Sequence, residues 1–201
     1  MTATRTRRRL EPHVRRDLIL DEAARIVAEE GVSAVNMERL GREAVISKAL
    51  VYNYFPSRQV LLSELLVREY RRFQTVARRA ATGIDDFETL VRVTTRAYLD
   101  HVAQRGILIQ RLINEPAVAA AVRGLDSEGR QHTASFFAAR ITKKFAIAPD
   151  RAATASDLLM GLTGAAGDYL ARSGADADAI ETMVVDMIMS ALTGLAKSTP
   201  A

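Results

Sequence analysis

Ser47-Lys48-Ala49-Leu50-Val51-Tyr52-Asn53-Tyr54-Phe55, SKALVYNYF, places three aromatic rings beside one asparagine in a chain that has five tyrosines and six phenylalanines in all. Pro56 follows at once and predicts the end of a helix, because the residue before a proline is pushed out of the helical region. Ser47 is the natural N-cap, its hydroxyl oxygen able to accept from a free amide of the first turn. At helical spacing Val51 and Phe55 share one face, while Lys48 with Tyr52, and Ala49 with Asn53, line the neighbouring outward face. One side suits a core and the other suits display. Helices below about 12 to 15 residues are marginal in isolation, so this one needs its predecessors to hold it.

Those predecessors are legible upstream. Val14, Leu18, Ile19, Ala23, Ile26 and Val27 recur at helical spacing, with Asp17, Asp21, Glu22, Arg25 and Glu29 between them, and Gly31 closes the helix. Asn36 is placed to cap a second helix, Met37 to Glu43, with Met37 and Leu40 facing inward. Gly41 then falls inside a helix at a cost of about 1 kcal/mol relative to alanine, a choice that the close approach of another helix explains. With the turn Ala44-Val45-Ile46 the pattern is that of a helix-turn-helix. Asparagine can contact adenine through two hydrogen bonds, lysine can reach guanine, and a tyrosine hydroxyl can bind a phosphate oxygen. Singly, Tyr52 and Tyr54 read as half-buried core residues and Lys48 as a solvated charge. Their joint placement on a capped, exposed face makes a nucleic-acid reading head the better account.

Charge agrees with this. The formal net charge is +4, and residues 1–60 hold eleven Lys or Arg against eight Asp or Glu, so most of the basic surplus lies towards the front of the chain. Arg5, Arg7, Arg8 and Arg9 precede the first acidic residue, in a segment with too little apolar content to pack. They read as a solvated tail in the free protein that orders on a phosphate backbone or in a minor groove. Cysteine is absent, which excludes a disulfide framework, a thiolate nucleophile and a cysteine-rich zinc site. MTATRTRRRL has no apolar run of the signal-peptide kind. No later segment reads as apolar over the roughly 18 residues of a membrane span, so the expectation is a cytoplasmic protein with no membrane partner.

In order along the chain, Arg16, Ile19, Leu20, Ala23, Ala24, Gly31, Leu40-Gly41, Ser47-Lys48, Leu50 to Phe55, Ser57-Arg58 and Leu61-Leu62 resemble the TetR family of transcriptional regulators. The resemblance covers about Arg16 to about Leu62, roughly a quarter of the chain. It implies an all-α homodimer with an N-terminal three-helix helix-turn-helix domain for DNA and a C-terminal helical domain for effector binding and dimerisation. It further implies base contacts from Lys48, Ala49, Leu50 and Asn53, and phosphate contacts from Asn36, Ser47, Tyr52 and Arg58. Two residues depart from the family pattern. Val45 stands where a turn glycine is usual, and a β-branched residue disfavours positive φ, so altered turn geometry is expected. Ala49 stands where glycine is frequent, adding a methyl group that can meet a thymine methyl and shift operator preference.

The expected organisation is a basic flexible arm at 1–11, a helix-turn-helix domain at 12–56 and a helical effector-binding and dimerisation domain at 57–201. Ser57 is placed to cap a fourth helix running to about Ala80, whose Arg68, Arg71, Arg72, Arg78 and Arg79 read as a solvated face. Further helices are expected at Asp86 to Gln104, Ile107 to Asn114, Ala117 to Val122, Ser127 to Phe145, Pro149 to Arg172 and Ala177 to Lys197. Gly83, Gly106, Pro116, Gly124, Pro149 and Gly174 punctuate them. The last helix is apolar around most of its circumference and the one before it carries Gly161, Gly164, Ala165, Ala166 and Gly167. Together they predict a dimer interface through Gly161, Gly164, Val184, Ile188 and Ala191, with a tightly packed monomer core as the alternative. Tyr98, His101, Phe136, Phe137, Met160 and Thr163 are the candidate effector residues, a mixture suited to a mostly apolar small molecule.

No catalytic residue, metal site or cofactor is expected. The three histidines are dispersed, and no nucleophile elbow, P-loop or dinucleotide fingerprint is present. The expected function is therefore a dimeric, ligand-responsive regulator, a repressor that releases an inverted repeat of double-stranded DNA on binding its effector. The alternatives are an architectural DNA-binding protein without effector and a helical enzyme.

Overall fold

The computed structural model describes residues 11–120 and 123–198, with side chains for all of these except 123–126. Arg5, Arg7, Arg8 and Arg9 lie outside the described residues. Described residues form helices α1 (Pro12–Glu30), α2 (Met37–Glu43), α3 (Lys48–Tyr54), α4 (Arg58–Ala81), α5 (Phe87–Ile113), α6 (Pro116–Ala119), α7 (Arg123–Phe145), α8 (Pro149–Ser173) and α9 (Ala177–Lys197), with a 3-10 turn at Val32–Ala34 and no strand among them. The chain divides into two units, and the division runs through α4 and α5 rather than between elements. The first unit takes in the residues up to Leu66 and those from Gln110 through α6; the second takes in Val67–Ile109 and α7 to α9.

In the first unit the caps fall where side-chain chemistry places them. Asn36 Oδ1 accepts from the amides of Glu38 and Arg39, and Ser47 Oγ accepts from Leu50. Ile19, Leu20, Ala23, Ile26 and Val27 of α1 are buried with Met37 and Leu40 of α2, whereas Leu18, expected inward, is 44% exposed. Gly41 is the point of closest approach: a Cβ there would lie 3.0 Å from the Ile46 carbonyl oxygen and 3.3 Å from the Lys48 nitrogen. Arg111, in the last turn of α5, donates to the carbonyls of Val27 and Ala28 at the end of α1. Helix C-termini present unpaired carbonyls and favour a cation, so this side chain closes α1.

Val45 lies in the turn between α2 and α3. It adopts φ 56°, the left-handed conformation that a glycine takes easily, and it is 68% exposed. The amides on either side explain why the chain accepts this: Ala44 donates to Leu40, Val45 to Arg42 and Ile46 to Gly41. A left-handed residue is the simplest way to reverse the chain between two helices that must cross at Gly41. The valine therefore holds this turn in a strained backbone conformation.

Two breaks expected from glycine do not occur. Gly106 lies inside the unbroken α5, because about 1 kcal/mol of lost helix propensity is small beside the burial of Leu99, Leu108 and Leu112 along the same helix. Gly124 likewise falls within α7, which begins at Arg123. In the second unit α7, α8 and α9 pack on one another. Phe87, Val91 and Leu99 of α5 join Ile141, Ile147, Leu170 and the inner face of α9 in one apolar cluster.

Helix α9 corrects a further expectation, since it is by length and composition apolar enough to cross a membrane. Here its Ile180, Val184, Val185, Ile188 and Leu192 are buried in the second unit's core, while Met183 and Met187 are exposed.

Val45→Gly is expected to stabilise the first unit by about 1 kcal/mol, because relief of roughly 1–3 kcal/mol of left-handed strain exceeds glycine's added unfolded-state entropy. Urea unfolding followed by helical signal checks this, and an unchanged or lower midpoint contradicts it.

Candidate nucleic-acid interface

Helix α3 owes its position to two side chains. Val51 and Phe55 are both fully buried, and the guanidinium of Arg16 on α1 lies 5.2 Å over the Phe55 ring while also pairing with Glu64 on α4. The opposite face is open. Ser47, Lys48, Ala49, Tyr52 and Asn53 are exposed, and Leu50 and Tyr54 are half-buried. The structure thus brings Lys48, Ala49, Tyr52 and Asn53 together on one accessible surface, with Leu50 at its edge. Asn36 is exposed as well, its side-chain oxygen engaged in the α2 cap.

Arg58 differs from the expectation of a phosphate contact. It is half-buried, its Nε donating to the Val35 carbonyl at 2.9 Å and its Nη2 to the Val32 carbonyl at 2.6 Å. These bonds tie the start of α4 to the segment between α1 and α2. Val32 and Val35 bracket a short 3-10 turn, and the first turn of α4 brings one guanidinium within reach of both carbonyls. The guanidinium therefore has a positioning duty that its place in the sequence does not reveal.

Around the interface the ionic groups are mostly paired with each other. Arg25 bonds Glu22, Glu29 and Glu43, and Arg39 bonds Glu30 and Glu43, which laces α1 to α2 on the exposed surface. Arg39 holds both Glu30 and Glu43 below the usual carboxylate range, Glu22 assisting at Glu43. Lys48 pairs with Glu38.

In the second unit the candidate effector residues fall into two aromatic groups. Tyr98 and His101 of α5 meet the Phe73 ring at 5.6 and 5.0 Å. Phe136 and Phe137 of α7 meet each other at 5.4 Å, Phe137 also reaching Phe87 and Phe136 lying under Arg140. Burial lowers the His101 pKa, with Glu69 opposing, and burial raises that of Tyr98. Met160 is half-buried, and the Thr163 hydroxyl donates to the Leu159 carbonyl of its own helix.

Three features were not foreseen. Glu69 is fully buried and faces Arg68, Arg72 and Arg105 at 3.2 to 3.6 Å, so Arg68, at 13% exposure, is no solvated charge. Charge spacing along one helix gives no hint of this, because Arg105 arrives from α5. Gly167 makes room for the Tyr98 ring, where a Cβ would come within 2.6 Å, so its smallness serves this unit's own packing. Val184 and Ile188, expected at a dimer interface, are 3% and 5% exposed and belong to the internal cluster. Gly161 and Ala191 are exposed, Gly164 is half-buried, and a Cβ at either glycine would meet nothing within 4 Å. Leu158, Tyr169, Met183 and Met187 form the exposed apolar groups of α8 and α9 instead. Among the described residues no cluster of potential ligands could hold a metal ion.

Comparison with known proteins agrees with this arrangement. Residues 19–65 match the family model described as bacterial regulatory proteins, tetR family. The chain is 35% identical over 92 residues to the HTH-type transcriptional regulator BetI of Rhizobium meliloti, a match over 44% of this chain and 45% of that protein. It is 37% identical over 67 residues to the HTH-type transcriptional repressor KstR of Mycolicibacterium smegmatis, over 33% of each. These matches thus span less than half the length of either relative. The crystal structure of a TetR-like transcriptional regulator from Rhodococcus sp. RHA1 superposes with a TM-score of 0.73 at 22% identity, over 92% of this chain and all of that one. Over residues 19–65 the chain is similar to the TetR family of transcriptional regulators, and over nearly its whole length it shares the fold of a TetR-like regulator.

Arg58→Ala is expected to cost about 1.5–3 kcal/mol of stability, the range for hydrogen bonds to a charged group, with Arg58→Lys recovering only part of it. Urea unfolding checks this; a loss of DNA affinity with unchanged stability would instead mark Arg58 as a phosphate ligand.

Proposed function

We propose that the protein is a homodimeric repressor that places α3 of each subunit in the major groove of an inverted repeat and releases it when a mostly apolar small molecule binds the second unit. One observation carries the reading: a capped α3, anchored through buried Val51 and Phe55, leaves Lys48, Ala49, Tyr52 and Asn53 exposed together. Lys48, Ala49, Leu50 and Asn53 address base edges. Tyr52 reaches a phosphate, with Ser47 and Asn36 beside it through the atoms their caps leave over. Arg58 is reassigned from phosphate to the bracing of α4. A repressor is favoured because a protein seated on a promoter blocks polymerase by occupancy alone. The cytoplasm is the compartment this work requires.

The subunits meet through the exposed apolar groups of α8 and α9, Leu158, Tyr169, Met183 and Met187, with Gly161, Gly164 and Ala191 allowing close backbone approach. Val184 and Ile188 leave the proposed interface because they fill their own subunit's core. Two recognition helices then need a separation near 34 to 36 Å to enter successive major grooves. The effector enters beside Tyr98, His101, Phe136, Phe137, Met160 and Thr163. Helices α4 and α5 run unbroken through both units, and they carry effector occupancy to the reading heads. The effector gains leverage only through its different affinity for the two states. An enzyme is disfavoured, since the named relatives regulate transcription. An architectural role would leave the large second unit without a task.

Selection from a random duplex pool is expected to recover a palindrome. Asn53→Ala should then weaken binding to it by about 1–3 kcal/mol while leaving random DNA nearly unaffected. Equal losses on both duplexes would remove Asn53 from base reading, and failure to enrich any sequence would remove the function proposed.

Met187→Glu is expected to convert dimers to monomers in sedimentation at micromolar concentration with helical content retained, since an unpaired charge is costly in a buried interface. A variant that sediments as the parent does contradicts the α8–α9 interface.

A further inference from the structure

The ammonium of Lys48 has a partner on the display surface. Its Nζ lies 3.4 Å from Oε2 of Glu38, and both side chains are 57% exposed. Glu38 stands in the first turn of α2, and its amide is held by Asn36 Oδ1 at 2.8 Å. An acid there is favoured by the positive end of the helix, which accounts for the residue type. It does not account for the carboxylate reaching across the turn to the recognition helix.

We propose that Glu38 is a specificity-determining residue of the reading head: it neutralises Lys48 on random DNA and yields it only to a base edge that offers lysine an acceptor. The inference rests on the reading that α3 enters the major groove. An exposed ion pair is weak, so it is readily exchanged for another acceptor, and guanine O6 and N7 are the acceptors lysine reaches in that groove. A lysine free to contact phosphate adds affinity for every sequence through counterion release, whereas one paired with a carboxylate releases little. Glu38 is itself repelled by phosphates and can accept a hydrogen bond only from a donor such as cytosine N4. Its presence therefore weakens all complexes, and weakens most those that offer neither a guanine to Lys48 nor a cytosine to Glu38. Discrimination arises from a repulsive element beside an attractive one.

The test uses the full chain, the duplex recovered by selection and a random duplex of equal length, each titrated over a range of salt. Glu38→Gln is expected to tighten random binding roughly 3- to 10-fold and to steepen its logarithmic salt slope by about 0.9, the increment for one further phosphate contact. The selected duplex should gain less, so the specificity ratio falls. In a Lys48→Met background the same change should move the ratio much less than it does beside Lys48. Equal tightening on both duplexes, an unchanged salt slope, or a shift in unfolding midpoint with no change in ratio would each overturn the proposal and leave Glu38 as a helix-terminus acid. Equal affinity of the unaltered protein for both duplexes would overturn the reading of α3 itself, and this inference with it.

Discussion

The contact between α2 and α3 at Gly41 sets the geometry on which everything at the reading head depends. With a hydrogen in place of a side chain, the Gly41 backbone lies against the Ile46 carbonyl and the Lys48 amide, and its own carbonyl accepts from Ile46 at 2.8 Å. Any Cβ there would have to push backbone, which cannot yield as a side-chain tip can. Once the crossing is that close, the turn between the helices must reverse within a few residues. Val45 is then driven into a left-handed conformation poorly suited to it. Strain at an exposed residue is thus the consequence of close packing at a buried one. The seven-residue α3, too short to persist alone, is held at one end by this contact and at the other by Phe55 under Arg16.

Electrostatics on the first unit are balanced more finely than its basic surplus suggests. Arg25 and Arg39 are committed to carboxylates of α1 and α2, Arg58 and Arg111 to backbone carbonyls, and Lys48 to Glu38. Such pairs add modestly to stability at exposed positions. Their larger effect is on how positive charge is offered to a polyanion, since a paired guanidinium or ammonium has to exchange one partner for another.

The second unit combines a continuous apolar cluster with one buried carboxylate. Glu69, enclosed by guanidinium groups from α4 and α5, joins these two successive helices. Buried charges are tolerated only when paired, and removing one partner leaves the other uncompensated. The network lies next to the Phe73, Tyr98 and His101 rings, so charge and aromatic surface occur together in the region assigned to the effector.

The helical class, the caps at Asn36, Ser47 and Ser57, the inward Val51 and Phe55 and the outward Lys48, Tyr52 and Asn53 all follow from the sequence alone. Each is decided within one or two helical turns, by local hydrogen bonding and by a period of 3.6. The place of Gly41 could also be inferred, because a glycine that costs helix stability has to be offset by a contact. Only the tertiary structure decided which way Arg58, Arg68 and Glu69 turn, that Gly106 and Gly124 sit inside helices, and that Val184 and Ile188 face their own core. Those outcomes depend on groups brought in from remote parts of the chain. A helix apolar on most sides, such as α9, does not disclose which side its own subunit covers.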